Sequence, residues 1–186
     1  MKWFFPGLIA LIIPLAVSAG ISFTQLAKIS TTPDQLKGTF SQEKYLKALD
    51  AELISTGVFS YQRGKSIRWE ILKPVQNELV MTPATITSKQ GDGELWQIDV
   101  ESTPESAALG QIFFSLVTAD WDILSNHFEV TGEIDGQLWH AVLVPTDQTV
   151  EQAFSRIELT GENLLQQIIL HENGGNRTTI RLDNWH

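Results

Sequence analysis

Between residues 56 and 72 apolar and polar positions alternate on either side of a short polar turn. Phe59 and Tyr61 alternate with Val58 and Ser60 before Arg63-Gly64-Lys65-Ser66; Ile67, Trp69 and Ile71 alternate with Arg68, Glu70 and Leu72 after it. A period of two with large apolar residues on one side predicts a β-hairpin. The same reading places strands at 36–42, 53–61, 66–72, 78–81, 85–88 and 95–100, with Gly91-Asp92-Gly93 turning the chain into the last of them. Residues 44–49 either prolong the first strand or form a loop.

The period changes in three places. Phe23, Leu26 and Ile29 stand at helical spacing, and Thr31-Thr32-Pro33-Asp34 ends that segment because the residue before a proline avoids the helical region. Thr103-Pro104-Glu105 reads as a helix cap, a proline at the first helical position, and an acid that suits the positive helix end. Leu109, Ile112, Phe113, Leu116 and Val117 then share one face of that helix. A shorter helical piece at 120–125 carries Trp121 and Leu124. Strands resume at 128–135, 138–144 (apolar on both faces), 155–160, 164–171 and 177–182, with Asp135-Gly136 and Asn173-Gly174-Gly175 as turns. The expected fold is mainly β with α: a strongly curved antiparallel sheet, an incomplete β-barrel, covered by a helical lid.

The first segment stands apart from this domain. Lys2 precedes an apolar run from Leu8 to Val17, and Val17-Ser18-Ala19 supplies small residues before Gly20, the layout of a secretory signal peptide. Pro6 and Pro14 interrupt the run, which is shorter than the roughly 20 residues of a spanning helix. Residues 1–19 are therefore expected to be removed, leaving an exported domain at 20–186. The 186-residue chain has 13 basic and 22 acidic residues, a formal charge of −9. That excess repels nucleic-acid phosphates and anionic lipid headgroups, so neither is an expected partner. No cysteine is present, which excludes disulfides and lipidation on cysteine.

Catalytic chemistry is thinly represented. There is no Gly-x-Ser-x-Gly elbow, no His-Glu-x-x-His pair and no glycine-rich phosphate loop. His127, His140, His171 and His186 lack a short metal-ligand spacing, and a solvated helix start accounts for Asp120 and Asp122. These residues predict a binding protein with no metal and no cofactor, not an enzyme. Phe59, Trp69, Trp96 and Phe113 either fill an ordinary core or border a space left between sheet and helices.

Phe40-Ser41-Gln42, Gly57-Val58-Phe59, Arg63, Ile67-Arg68-Trp69-Glu70, Pro74 and Leu79-Val80 occur in an order and spacing that resembles the periplasmic outer-membrane lipoprotein carriers, the LolA family. Gly64 stands where the family usually has proline, and longer members continue beyond the strand at 177–182, so a less closed half-barrel is expected here. The resemblance implies a monomeric carrier that holds acylated lipoprotein or lipid cargo, receives it from an inner-membrane transporter and delivers it to an outer-membrane acceptor. It implies that Arg63 latches the lid through lid backbone carbonyls. Phe59, Trp69, Met81 and Trp96 on the sheet, with Leu109, Ile112, Phe113, Leu116 and Val117 on the helix, would line the cavity. The alternative is a sensing module of the same fold that reads lipid or lipoprotein and signals to a membrane partner.

Overall fold

The structure, a computed structural model, describes residues 20–82, 85–91, 95–99 and 104–183, with the side chains of 95–99 and 104–109 outside the description. The chain begins with helix α1 (Phe23–Ile29), entered through a capping box in which the Ser22 hydroxyl accepts from the Gln25 amide and the Gln25 side chain accepts from the Ser22 amide. Strands β1 (Gln35–Leu46), β2 (Ala51–Gln62), β3 (Ser66–Lys73), β4 (Asn77–Met81), β5 (Thr85–Gln90) and β6 (Leu95–Asp99) follow. Helices α2 (Pro104–Thr118) and α3 (Trp121–Ser125) come next. Strands β7 (Phe128–Asp135) and β8 (Leu138–Pro145), helix α4 (Gln148–Ala153), and strands β9 (Phe154–Gly161), β10 (Leu165–Glu172) and β11 (Arg177–Asp183) complete the order.

All eleven strands form one antiparallel sheet in the order β6-β5-β4-β3-β2-β1-β11-β10-β9-β8-β7. The first and last described strands of that order, β6 and β7, do not pair with each other, so the sheet curves without closing. Alternation decides its faces. Leu36 and Phe40 on β1, Phe59 and Tyr61 on β2, Ile67 and Trp69 on β3 and Met81 on β4 point inward with Ile180 and Leu182 of β11. On the other wing Trp139, Ala141, Leu143, Ile157, Leu159 and Ile168 do the same.

Curvature has a local cause at the β1–β2–β3 crossing. Gly57 faces Phe40 across the ladder, and Gly38 faces Phe59. A Cβ on Gly57 would lie 1.9 Å from the Glu70 carbonyl oxygen and 2.7 Å from the Phe40 ring. The absent side chain lets strand β3 bend over β2, where the pairing register shifts between Thr56 and Gly57. Phe40 then reaches past Gly57 to stack on Trp69 with ring centroids 3.8 Å apart, and Phe59 stacks on the same ring at 5.8 Å.

One open alternative is settled and two expectations are corrected. Strand β1 runs through residues 43–46, and a 3-10 turn, Lys47–Leu49, takes the chain into β2. Strand β8 is not buried on both faces: Trp139, Ala141 and Leu143 point inward while Leu138 and Val144 are exposed, so it obeys the ordinary alternation of a one-sided sheet. Helix α4 was not expected at all. Its only buried residue is Val150, and it is nucleated by Asp147, whose carboxylate accepts from the amides of Thr149 (2.8 Å) and Val150 (3.4 Å).

Candidate functional site

Most of the predicted residues fall in one buried apolar cluster shared by the sheet and α2. Phe59, Trp69 and Met81 are buried on the sheet side; Ile112, Leu116 and Val117 are buried on the helix side, and Phe113 is half-buried. The backbones of Trp96 and Leu109 belong to β6 and α2, but their side chains lie outside the described residues. Two residues that the periodic reading did not single out complete the contact. Phe114 meets Tyr61 edge-on at 6.3 Å, and Phe40 supplies the ring stacked on Trp69. Phe40 stood in the sequence motif, yet its nearness to Trp69 depends on the bend at Gly57 and on no local signal.

The covering helix is held by terms of opposite sign. Ser115 has no exposed surface, and its hydroxyl has no hydrogen-bond partner among the described residues. A buried, unpaired hydroxyl disfavours the closed arrangement by about 1–3 kcal/mol. Helix α2 ends in a Schellman turn: the Asp120 amide donates to the Ser115 carbonyl at 2.9 Å and the Ala119 amide to that of Leu116 at 3.4 Å. The residue at the left-handed position of that turn is usually glycine. Here it is Ala119, with φ at 50°, which adds roughly 1–2 kcal/mol of strain at the joint between α2 and α3.

Arg63 lies at the start of the β2–β3 turn. Its Nε donates to Asp34 Oδ1 at 2.7 Å, and its Nη2 donates to the Thr32 carbonyl. The Asp34 hydrogen bond, then the neighbouring Tyr61 and Asp120, raise the guanidinium pKa. The backbone carbonyl it holds therefore belongs to the α1–β1 connection and not to α2. Gly64 adopts φ of 67°, a value closed to proline, so this turn differs in kind from the proline turn usual at that place. Arg68, the third residue of the hairpin's second arm, pairs with Glu78 across the β3–β4 ladder.

Arg63 also borders a groove of about 520 Å³ between the α1–β1 connection, the β2–β3 turn and the α2–α3 joint. Tyr61, Phe114 and Trp121 form its apolar walls; Ser30, Arg63, Asp120 and Asp122 are polar residues on its lining. Burial raises the Tyr61 pKa, which keeps the phenol neutral. Trp121 is anchored by an indole N–H donated to the Ser30 carbonyl at 3.4 Å and by an edge contact to Trp139 at 5.5 Å. Among the described residues no group of three or more His, Cys, Asp or Glu side chains is placed to hold a metal ion. No described helix is long and apolar enough to cross a membrane.

The chain is 9% identical to a LolA superfamily protein from Nitrosomonas europaea, with 88% of this chain and 90% of that one covered at a TM-score of 0.47. It is 15% identical to a chain of the Pseudomonas aeruginosa MucA/MucB complex, with 82% and 51% covered at a TM-score of 0.43. None of the curated proteins matches it. The profile of the family described as outer membrane lipoprotein carrier protein LolA matches residues 31–186, the whole sheet together with α2, α3 and α4. On that match the chain belongs to the LolA family, a family of carriers and not of enzymes.

Proposed function

We propose that this chain, freed of residues 1–19, is a periplasmic carrier that takes the acyl chains of a lipoprotein or related lipid from an inner-membrane transporter and yields them to an outer-membrane acceptor. The observation that carries this reading is the cover: α2 lays an apolar face on an aromatic wall, yet buries an unpaired hydroxyl and turns on a strained alanine.

The energetics of the task call for such a cover. Each methylene withdrawn from water is worth about 0.8 kcal/mol, so an acyl chain of about sixteen carbons needs shielding worth on the order of 10 kcal/mol. A permanently open apolar trough would hold that chain too firmly to surrender it. A cover that closes on the empty protein reduces apparent affinity by the cost of reopening, which makes release possible. Phe59, Trp69 and Met81 below, with Ile112, Phe113, Leu116 and Val117 above, would exchange contacts with one another for contacts with hydrocarbon. Met81, flexible and polarisable, suits chains of differing shape. Arg63 would latch the assembly by tying the α1–β1 connection to the turn that borders the joint.

The test uses residues 20–186 and a neutral fluorescent apolar probe displaced by an acylated peptide. Saturable displacement is expected. Because the chain has no cysteine, a single Phe113→Cys substitution reports that face directly: its thiol should react with a maleimide more slowly when the acylated peptide is bound, because hydrocarbon then covers it. Absence of saturable binding would overturn the reading.

A further inference from the structure

The groove at Arg63 has a charge balance that the carrier reading does not use. Arg63 and Asp34 are joined at 2.7 Å and largely cancel. Asp120 and Asp122, which line the same groove, have no described cation bonded to them. One oxygen of Asp120 accepts from the Ile123 amide as the cap of α3, a bond that leaves its charge in place. Lys28 and Lys65 are near in sequence to Ala27 and Gly64, yet neither lines the groove. Tyr61 and Phe114 add aromatic walls, whose faces attract cations. Independently of the carboxylates, Ser30 lines the groove, is 3% exposed, and has a hydroxyl without a partner among the described residues.

We infer that this groove receives the polar end of the cargo and selects one carrying an ammonium group, turning away acyl molecules that end in phosphate or carboxylate. The inference rests on the carrier reading and adds the chemistry of the head to that of the tail. An ammonium at the groove would neutralise the excess of Asp120 and Asp122 and, with a small shift of the Ser30 side chain, give its buried hydroxyl the partner it lacks among the described residues. An anionic head would face two carboxylates against one guanidinium already engaged by Asp34. The overall charge of −9 acts in the same direction at longer range. A permissive trough alone would bind the phospholipids that surround a lipoprotein in its membrane; charge discrimination at the mouth reduces that competition.

The experiment compares three palmitoylated tripeptide amides that differ only in a Lys, Gln or Glu beside the acylated residue, each displacing the neutral apolar probe. Lys is expected to compete about tenfold better than Glu, with Gln between, as for a unit charge reversed near an uncompensated carboxylate at a half-exposed site. The gap should narrow as salt is raised. In Asp120→Asn/Asp122→Asn, where asparagine can still cap α3, the three peptides should fall within about twofold of one another; Asp122→Asn alone should remove part of the gap. A single-chain aminolipid that competes as well as the Lys peptide would assign recognition to the charge alone, and a weaker one would assign it to an acylated peptide. Equal competition by all three peptides in the parent protein overturns the inference and leaves the carrier reading standing. Failure of the probe to bind at all overturns both.

Discussion

The two wings of the sheet bury their inner faces by different means. Under β8 to β11 the core is mainly aliphatic around one tryptophan: Trp139, Leu143, Ile157 and Leu159 have no exposed surface, Val150 of α4 completes the cover with none either, and Phe154 and Leu164 are half-buried at its margin. That helix is fixed by two amide bonds to Asp147. Under β1 to β4 the core is a set of aromatic plates, several of their neighbours are half-buried (Leu79, Ile71, Phe113, Phe114), and the cover ends at a strained joint beside an open groove. One wing spends its contacts on cohesion. The other, on the proposed reading, keeps a surface that a carrier of hydrocarbon would uncover.

The contrast can be broken most forcefully in the closed wing. Trp139→Ala should lower unfolding stability by about 3–5 kcal/mol in urea denaturation, since it removes a fully buried ring and a hydrogen bond donated to the Glu162 carbonyl at 2.6 Å. Probe affinity per folded molecule should fall far less than stability, because among the described residues that ring reaches towards the groove only through its edge on Trp121. A loss of affinity with stability preserved would reverse the roles assigned to the wings.

A smaller change, of opposite sign, is expected under α2. Ser115→Ala deletes a buried hydroxyl with no partner among the described residues and should raise stability by about 1 kcal/mol. Apparent affinity for an acyl probe should weaken in the same variant, because the closed empty form gains what the bound form does not. Destabilisation on this substitution would mean that the hydroxyl is satisfied in solution and that the cover is not biased towards opening.

Arg63→Leu should change stability by less than about 1 kcal/mol, as its ion pair with Asp34 is half-exposed. Its mark should be kinetic: cargo still binds, and transfer to an acceptor slows. Normal transfer would remove the latch.

The smallest effect concerns pH and lies on the outer face of the closed wing. Burial pushes the Glu158 carboxyl up, but the hydrogen bond from Arg156 at 3.0 Å and the charge of His171 at 2.8 Å outweigh it and leave the pKa lowered. A carboxyl depressed in the folded state contributes stability above its unfolded pKa of about 4.3 and loses it as pH falls through the folded value. Glu158→Gln should flatten the acid limb of the stability profile by about 1 kcal/mol or less and leave neutral-pH ligand binding alone. An unchanged acid limb would show the cluster to be thermodynamically silent.

How much of this was legible depends on the range of the interaction. The strands around Phe59 and Trp69 and the face of α2 from Ile112 to Val117 are periodic over many residues, and periodicity survives folding. Helix α4 was hidden because Gln148–Ala153 carries a single buried apolar residue; its signal was Asp147 placed two residues before Thr149, a cap with no apolar stripe behind it. Strand β8 misled because Leu138 and Val144 are apolar yet exposed. The partner of Arg63 is 29 residues away, and the groove joins segments separated by more than fifty residues, so neither could be read from local spacing. The family pattern supplied Arg63 as a candidate; only the fold supplied Asp34, Asp120 and Ser30 around it.

Gly57 determines how tightly the wall of the vessel is rolled. With even one methyl at that position, strand β3 would be pushed away from β2 and the Phe40 and Trp69 rings would part. The concave face would flatten into a tray. On the proposed carrier reading, the room for an acyl chain is then governed by a residue that contributes no side chain, and a chemist wishing to enlarge or shrink it should begin there before altering any of the aromatic residues.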